Sequence, residues 1–294
     1  MMATRARDSQ RGVVGILHPG EMGVAVARQL LLAGHRVLWA SEGRGHESRR
    51  RARAAGLEDA GTVAEVCAQA SVIFSICPPH AALEVAGEVA GLLGPPMGAA
   101  SGPRVRLVDA NAVAPATSRA VRERIESAGG AFTDGSIVGP PPAGSATARL
   151  YLSGAGAHEV AALFDGTDVA ARVVEGGDHA ASALKMAYAG WTKVAAALLL
   201  SVRDLARTEG VEAALLAEWD ESVPGLAGRA DAAAAAAAAK GWRWAGEMRE
   251  IAAAMAAAGL PDGFALAAAE RYDAVERPRA AATEPPSGAE RPTA

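Results

Sequence analysis

Val13-Val14-Gly15-Ile16-Leu17-His18-Pro19-Gly20-Glu21-Met22-Gly23 runs an apolar strand into a tight turn and then into a helix. The run Val13–Leu17 is continuously apolar, as suits a strand covered on both faces. Gly20 and Gly23 stand where a dinucleotide fold needs glycine. One lets backbone N–H groups approach a pyrophosphate, and the other lets helix and strand pack closely. His18 occupies the place of the first glycine of G-x-G-x-x-G. The context supplies the specificity: a helical stretch Val24–Ala33 follows, and a second strand, Arg36–Ala40, lies within the expected ~30 residues. His18 either donates a hydrogen bond beside pyrophosphate or substrate, or is a residue that tolerates the turn's backbone angle.

The end of the second strand reads Ala40-Ser41-Glu42-Gly43-Arg44. An NAD site usually places Asp or Glu here to bond the ribose 2′-hydroxyl. Ser41 stands in that place and Arg44 follows, which suits a 2′-phosphate and favours NADP. Glu42 keeps NAD open. The cluster Arg49-Arg50-Arg51 with Arg53 lacks interleaved aromatic residues, so it reads as a solvated helix face and not a nucleic-acid patch.

Short β-rich runs alternate with helical stretches from residue 12 to about 176, which implies a doubly wound α/β sheet. The runs are Val13–Leu17, Arg36–Ala40, Val72–Cys77, Arg106–Ala110, Ala131–Ile137, Arg149–Ser153 and Ala171–Glu175. After Gly176-Gly177 the composition turns helical. One long, largely buried helix is expected from an N-cap at Asp178 to about Arg207, with Gly210 as its stop. Further helices should break near Pro224-Gly225 and again at 259–263. The expected organisation is a Rossmann-like domain at 12–176, an all-helical substrate and dimerisation domain at 177–276, and disordered tails at 1–11 and 277–294.

The 294 residues carry a formal net charge of −4, which offers no global attraction to nucleic acid or an acidic membrane. No apolar stretch is long enough to span a bilayer, and the basic start lacks the apolar core of a secretory signal. Cys67 and Cys77 have no metal-type spacing and read as free thiols in a reducing cytoplasm. No His/Cys/Asp cluster has metal spacing. The apolar helical surface exceeds what one copy covers, so a homodimer is expected.

The sequence resembles the 6-phosphogluconate dehydrogenase / β-hydroxyacid dehydrogenase superfamily over about 12–276. Gly15-x-x-x-x-Gly20-x-Met22-Gly23 followed by Ala33-Gly34-His35-x-Val37 is similar to its opening. Cys77-Pro78-Pro79 is similar to its proline-containing loop, and Asp109-x-Asn111-Ala112-Val113-x-Pro115 to D-x-S-T-I-x-P. Asp134-Gly135-Ser136-Ile137-Val138-Gly139 resembles the substrate loop D-A-P-V-S-G. Gly176-Gly177 to Lys185 resembles the entry to the interdomain helix with its catalytic lysine. The His18–Gly23 turn and Trp242-x-Trp244-x-x-Glu247-Met248 resemble the branch that carries a C-terminal domain of unknown function. Three departures stand out: Ala189 replaces the asparagine four places after the lysine, Val138 replaces the substrate-loop serine, and Pro140 replaces that loop's second glycine. Of the late Lys-Asp pair, only Lys240 is present.

The resemblance implies a soluble NAD(P)-dependent oxidoreductase that moves a hydride to or from a small carbonyl or hydroxy-acid substrate. Lys185, in an apolar helical stretch, is then the acid/base, and Tyr188 one turn on shares the proton or bonds the substrate oxygen. Cofactor contacts would come from His18, Pro19, Gly20, Glu21, Met22, Gly23, Ser41, Arg44, Cys77, Pro78, Pro79, Asn111 and Lys240. Substrate contacts would come from Ser136, Ile137, Val138, Gly139 and Arg149, with Asp134 and His80 as weaker candidates. An imine reductase-like enzyme and a non-catalytic NADP-binding protein are the rival readings.

Overall fold

The computed structural model describes residues 12–93, 105–142 and 147–275. The expected disordered tails lie outside these residues. Eight strands form one sheet: β1 Val13–Ile16, β2 Arg36–Trp39, β3 Glu58–Asp59, β4 Val72–Ser75, β5 Arg106–Asp109, β6 Ala131–Val138, β7 Ala148–Ser153 and β8 Val169–Val173. Their order is β3-β2-β1-β4-β5-β6-β7-β8. Every neighbouring pair is parallel except β6 and β7, where Asp134 faces Ser153 and Val138 faces Arg149. The continuously apolar runs are the central strands, as burial on both faces requires. The short strand β3 carries Glu58 and Asp59, both exposed at the sheet's edge, and has no apolar signal to betray it.

Helices cover both faces. Val24, Val26 and Leu30 of α1 (Glu21–Leu32) and Val160 of α6 (Ala157–Ala162) are buried on one side with Ile16, Phe74 and Leu150. On the other side, α3 (Val63–Gln69), α4 (Ala82–Leu93) and α5 (Pro115–Ser127) bury Val66, Val85, Val121 and Ile125 against Leu38, Ile73 and Leu107. Helix α2 (His46–Ala55) follows β2 at the nucleotide end. This is a Rossmann-like sheet with two extra strands past β6.

The rest is helical: α7 Ala180–Ala189, α8 Ala195–Thr208, α9 Glu212–Ser222, α10 Leu226–Lys240, α11 Trp244–Ala257 and α12 Gly263–Asp273. Met186, Leu200, Met248, Ile251 and Tyr272 form its core, with alanines between them. Small alanine side chains let the helix axes approach. Gly225 and Gly259 supply the left-handed breaks, at φ +85° and +70°.

The long helix expected from Asp178 differs in three respects. Its first turn follows His179, whose own side chain does not cap it; Ser153 Oγ and the Asp134 carboxylate accept from Ala181 N and Ser182 N, and the Asp178 carboxylate pairs with Arg122. A π-helical turn, Gly190–Val194, interrupts it between α7 and α8. It is also less buried than its composition suggests, because Trp191, Leu198 and Leu205 stay 75%, 62% and 62% exposed.

What docks α7 onto the sheet is one carboxylate. Asp134, fully buried on β6, accepts hydrogen bonds from Ser118 Oγ (2.8 Å), Ser153 Oγ (3.0 Å), Ser182 N (2.8 Å) and Ser182 Oγ (2.6 Å). Ser118 Oγ also lies 2.9 Å from His179 Nδ1. Two residues along β6, Ser136 Oγ donates to Ala181 O at 2.8 Å. Burial pushes the Asp134 carboxyl up, and the four hydrogen bonds oppose that.

Asp134→Ala leaves three hydroxyls and a helical N–H without their acceptor. It should cost about 3 kcal/mol or more of folding free energy, measured by urea unfolding. Ser153→Ala, which removes one donor, should cost roughly 1 kcal/mol.

Candidate active site

At the carboxyl ends of the parallel strands, the His18–Gly23 turn leaves β1 and enters α1. Gly20 takes an ordinary extended conformation, so φ is not why it is glycine. A Cβ added there would meet nothing within 4 Å and would project into open space at the helix N-terminus. A Cβ on Gly23 would lie 2.2 Å from His18 O, so this glycine is required by packing alone. The first N–H groups of α1 point outward without a capping side chain, which is the geometry that receives an anion.

Two polar atoms near this turn are buried without a hydrogen-bond partner among the described residues, His18 Nδ1 and Arg44 Nε. Burial first, and the charge of Arg44 second, lower His18 to about 4. The imidazole is therefore neutral at physiological pH and can donate through one nitrogen. Ser41 is buried at the end of β2, and its carbonyl accepts from Arg44 N at 3.2 Å.

The arginine cluster is not simply a solvated face. Arg49 Nε donates to Arg44 O at 2.9 Å, and Arg51 Nε donates to Pro19 O at 3.2 Å. Two of its members thus brace the backbone of this end from α2, while Arg50 pairs with Glu47 in solvent. Charge density alone could not separate inward from outward arginines.

The loop after β4 is held from beneath. Asn111 Oδ1 accepts from Cys77 N at 2.6 Å, and Asn111 Nδ2 donates to Ser75 Oγ at 3.1 Å and also to Asp109 Oδ1. Asn111 is thus a buried brace that places Cys77-Pro78-Pro79. His80 lies in the short 3₁₀ turn that follows (Pro79–Ala81). Burial pushes the Cys77 thiol up to about 11, so it stays protonated. Asp109 is pushed up to about 7, by burial first and by the Asp134 charge second, and its Oδ2 is buried without a partner among the described residues.

Lys185 lies three residues beyond Ser182, the residue that Asp134 anchors on α7. Its Nζ donates to Ile137 O on β6 at 2.7 Å. Burial lowers it to about 8; the nearby Glu247 opposes this and Lys193 adds to it. Ile137, whose carbonyl accepts from the ammonium, is followed on the chain by buried Val138 and by Gly139 at φ +110°. Ser136 is fully buried and bonded to α7, so it holds the helix and does not face the cleft. Tyr188 is 44% exposed and more open to solvent than Lys185. Arg149, half-buried on β7, stands opposite Val138. Lys240 is exposed at the end of α10.

Helix α11 and the 3₁₀ turn before it (Gly241–Arg243) reach the nucleotide turn and the start of α5. Arg243 lies 3.5 Å from the Glu21 carboxylate of the nucleotide turn. Glu250 Oε2 accepts from Ala114 N (2.6 Å) and Thr117 Oγ1 (2.8 Å), capping α5 from outside. Glu247 pairs with Lys193. The sequence motif around Trp242 pointed to this helix, but nothing in it identified these partners. Among the described residues, no group of three His, Cys, Asp or Glu side chains could hold a metal, and no helix is long and apolar enough to cross a membrane.

Two family models match the chain. Residues 13–95 match NADP oxidoreductase coenzyme F420-dependent, and residues 206–275 match the domain of unknown function DUF1932. No curated protein matches it. Among solved structures, conserved protein MTH1747, described as structurally similar to 3-hydroxyacid dehydrogenases, is 25% identical with a TM-score of 0.65, covering 89% of this chain and 95% of that one. The 3-hydroxyisobutyrate dehydrogenase of Mycobacterium tuberculosis, solved with L-serine, is 19% identical (TM-score 0.68; 90% and 93% covered). A reductive aminase from Aspergillus terreus, solved with NADPH and ethyl levulinate, is 20% identical (TM-score 0.56; 89% and 92%). The last two establish likeness of fold.

The two turn glycines separate by experiment. Gly20→Ala should leave the Tm within about 2 °C of the parent, because its Cβ meets nothing. Gly23→Ala should lower stability by about 2 kcal/mol or more, because the Cβ collides with backbone. Thermal melts by circular dichroism decide both.

Proposed function

We propose that the chain belongs to the hydroxyacid dehydrogenase superfamily, in the branch with a DUF1932 C-terminal domain, and is an NADP(H)-dependent oxidoreductase acting on a small carbonyl or hydroxy-acid substrate. The observation that carries this reading is a buried lysine fixed by a backbone carbonyl, at the same carboxyl edge of the sheet as an uncapped helix N-terminus.

The residues fit the dinucleotide. Gly20 leaves room for a pyrophosphate on α1, and His18 Nδ1 and Arg44 Nε are buried groups that a bound nucleotide would satisfy. Ser41 and Arg44 suit a 2′-phosphate. Arg243 and Glu21 close over the same turn. When bound, the nicotinamide supplies or accepts the hydride at the substrate carbon.

The protein's part is the proton. With its midpoint lowered to about 8, Lys185 carries a proton at pH 7 and gives it up readily. In reduction it delivers that proton to the carbonyl oxygen as the hydride reaches carbon. In oxidation the neutral amine takes the hydroxyl proton. The Ile137 carbonyl holds Nζ in place, and Tyr188 at the open side is assigned to the substrate oxygen. Asn111 holds the Cys77–Pro79 loop, which would line the nicotinamide end of a bound dinucleotide. The exposed Trp191, Leu198 and Leu205 fit a helix face shared between two copies, hence a homodimer. Two free thiols fit a cytoplasmic setting.

A screen of NADPH and NADH consumption against ketones, imines and hydroxy acids tests the reading; NADPH binding without any turnover would favour a sensor. Turnover confined to ketone-plus-amine mixtures would favour an imine reductase. Arg44→Ala should weaken NADPH at least tenfold and leave NADH nearly unchanged, by fluorescence titration. Lys185→Met should lower kcat by 10²–10⁴-fold, on the order expected for a lost acid/base.

The same lysine makes a stability prediction. Its folded midpoint lies below the unfolded one, so the charged form opposes folding at neutral pH. That penalty fades as pH rises from about 8 toward the unfolded value. Lys185→Met should therefore stabilise the protein at pH 7 by roughly 1–3 kcal/mol, with the advantage shrinking toward pH ~10. Urea unfolding at both pH values measures it.

A further inference from the structure

Lysine occurs three times in this chain, at 185, 193 and 240, within 29 basic residues. Arginine carries the remaining positive charge, and arginine does not give up its proton. Two of the three lysines stand on the same interrupted helix, eight residues apart.

In an unbroken α-helix, eight residues advance the side chain about 80° past two full turns, so Lys193 would point away from Lys185. The π-helical turn Gly190–Val194 changes that. It accommodates one extra residue, so the step behaves like seven residues and falls within roughly 20° of two turns. Lys193 is thereby returned to the face that carries Lys185.

Once there, Lys193 is pinned on several sides. Its Nζ pairs with Glu247 Oε2, and both side chains are largely buried, 19% and 16% exposed. The Trp244 ring lies 5.4 Å from Nζ, and Trp244 packs edge-on against Tyr272 at 5.1 Å. Tyr272 in turn donates its hydroxyl to Lys193 O at 2.8 Å. Ala189, one turn after Lys185, is buried and offers it no polar group.

We propose that the buried Lys193–Glu247 pair, returned to the Lys185 face by the π turn, sets the charge balance around Lys185. Lys193 and Glu247 are positioning residues, and the Trp242–Met248 segment belongs to the active site. The inference rests on the reading of Lys185 as proton carrier. Among the described residues, the charges that act on Lys185 are Lys193 from its own helix run and Glu247 from α11; from β6 the uncharged Ile137 carbonyl accepts its hydrogen bond. Removing the Glu247 charge leaves the Lys193 charge unopposed on the same helix face, and Lys185 then loses its proton more easily. Removing the Lys193 charge leaves Lys185 facing a carboxylate alone, and it holds its proton longer.

The test reads Lys185 directly. Full-length protein with ¹³Cε-labelled lysine gives three resonances, assigned with K185R, K193R and K240R and titrated by NMR. Lys185 should titrate below the ordinary lysine value. E247Q should raise the Lys185 acid dissociation constant at least about threefold, and K193M should lower it at least about threefold. E247D should restore most of the parent value. Where a substrate is in hand, the alkaline limb of kcat should move the same way while KM for NADPH stays put. A Lys185 titration unchanged in both E247Q and K193M, with native near-UV circular dichroism, overturns the proposal. Should E247Q fail to fold, K193M against K193R decides alone. Full turnover by K185M would instead overturn the proton-carrier reading, an outcome the titration is independent of.

Discussion

The Asp134 carboxylate is the point on which the molecule turns. It sits mid-sheet on β6 and accepts from α5, from β7 and twice from the first turn of α7. A buried charge of this kind is tolerated only when its lone pairs are filled, and here four donors fill them. The helix that brings Lys185 to the cleft is therefore oriented by a hydrogen-bonded anchor whose geometry is directional, as apolar packing would not be. Ser136 repeats the tie a pair of residues further on. Lys185 follows Ser182 by three residues, less than one turn, so an error in the anchor would carry directly to the ammonium.

Helix α11 answers from the opposite side. Its first two turns, with the 3₁₀ turn before them, reach the nucleotide turn through Arg243, the π turn through Glu247 and the start of α5 through Glu250. The DUF1932 match begins within α8 and includes this helix, so its region supplies one wall of the cleft as well as a helical core. The ion pairs are unequal. Arg243 and Glu21 are about half exposed, and such a pair contributes little to stability. Glu250 meets a helix N-terminus, where a carboxylate satisfies donors that otherwise lack partners.

Much of the fold was legible because periodicity is a local property. The apolar runs at Val13, Arg36, Val72 and Arg106 marked central strands, and Gly210 and Gly225 marked helix ends. β3 escaped because two acidic residues at a sheet edge carry no such pattern. The site was legible where chemistry follows the chain, as in the turn at Gly20 and Gly23 or the lone lysine in an apolar helix. It was opaque where partners come from afar. Nothing in the sequence says that Arg51 reaches Pro19 or that Asn111 lies under the Cys77 loop. Ser136 looked like a substrate contact because its position in the loop motif is right, but its hydroxyl faces α7. The π turn was invisible for a different reason: a helix that takes in one extra residue keeps the composition of a helix.

That extra residue sets a phase as well as a contact. Everything from Ala195 onward along α8 is rotated by its presence, so the length of the 190–194 segment decides which residues meet the helical core and which meet water. Deleting one residue there would restore a regular helix and turn α8 by about 100°, carrying Leu200 out of the core. A substitution in this stretch alters one side chain, whereas a change of length would re-index a whole helix. The segment should therefore accept changes of composition far more readily than changes of length, unlike the surface loops that ordinarily absorb insertions.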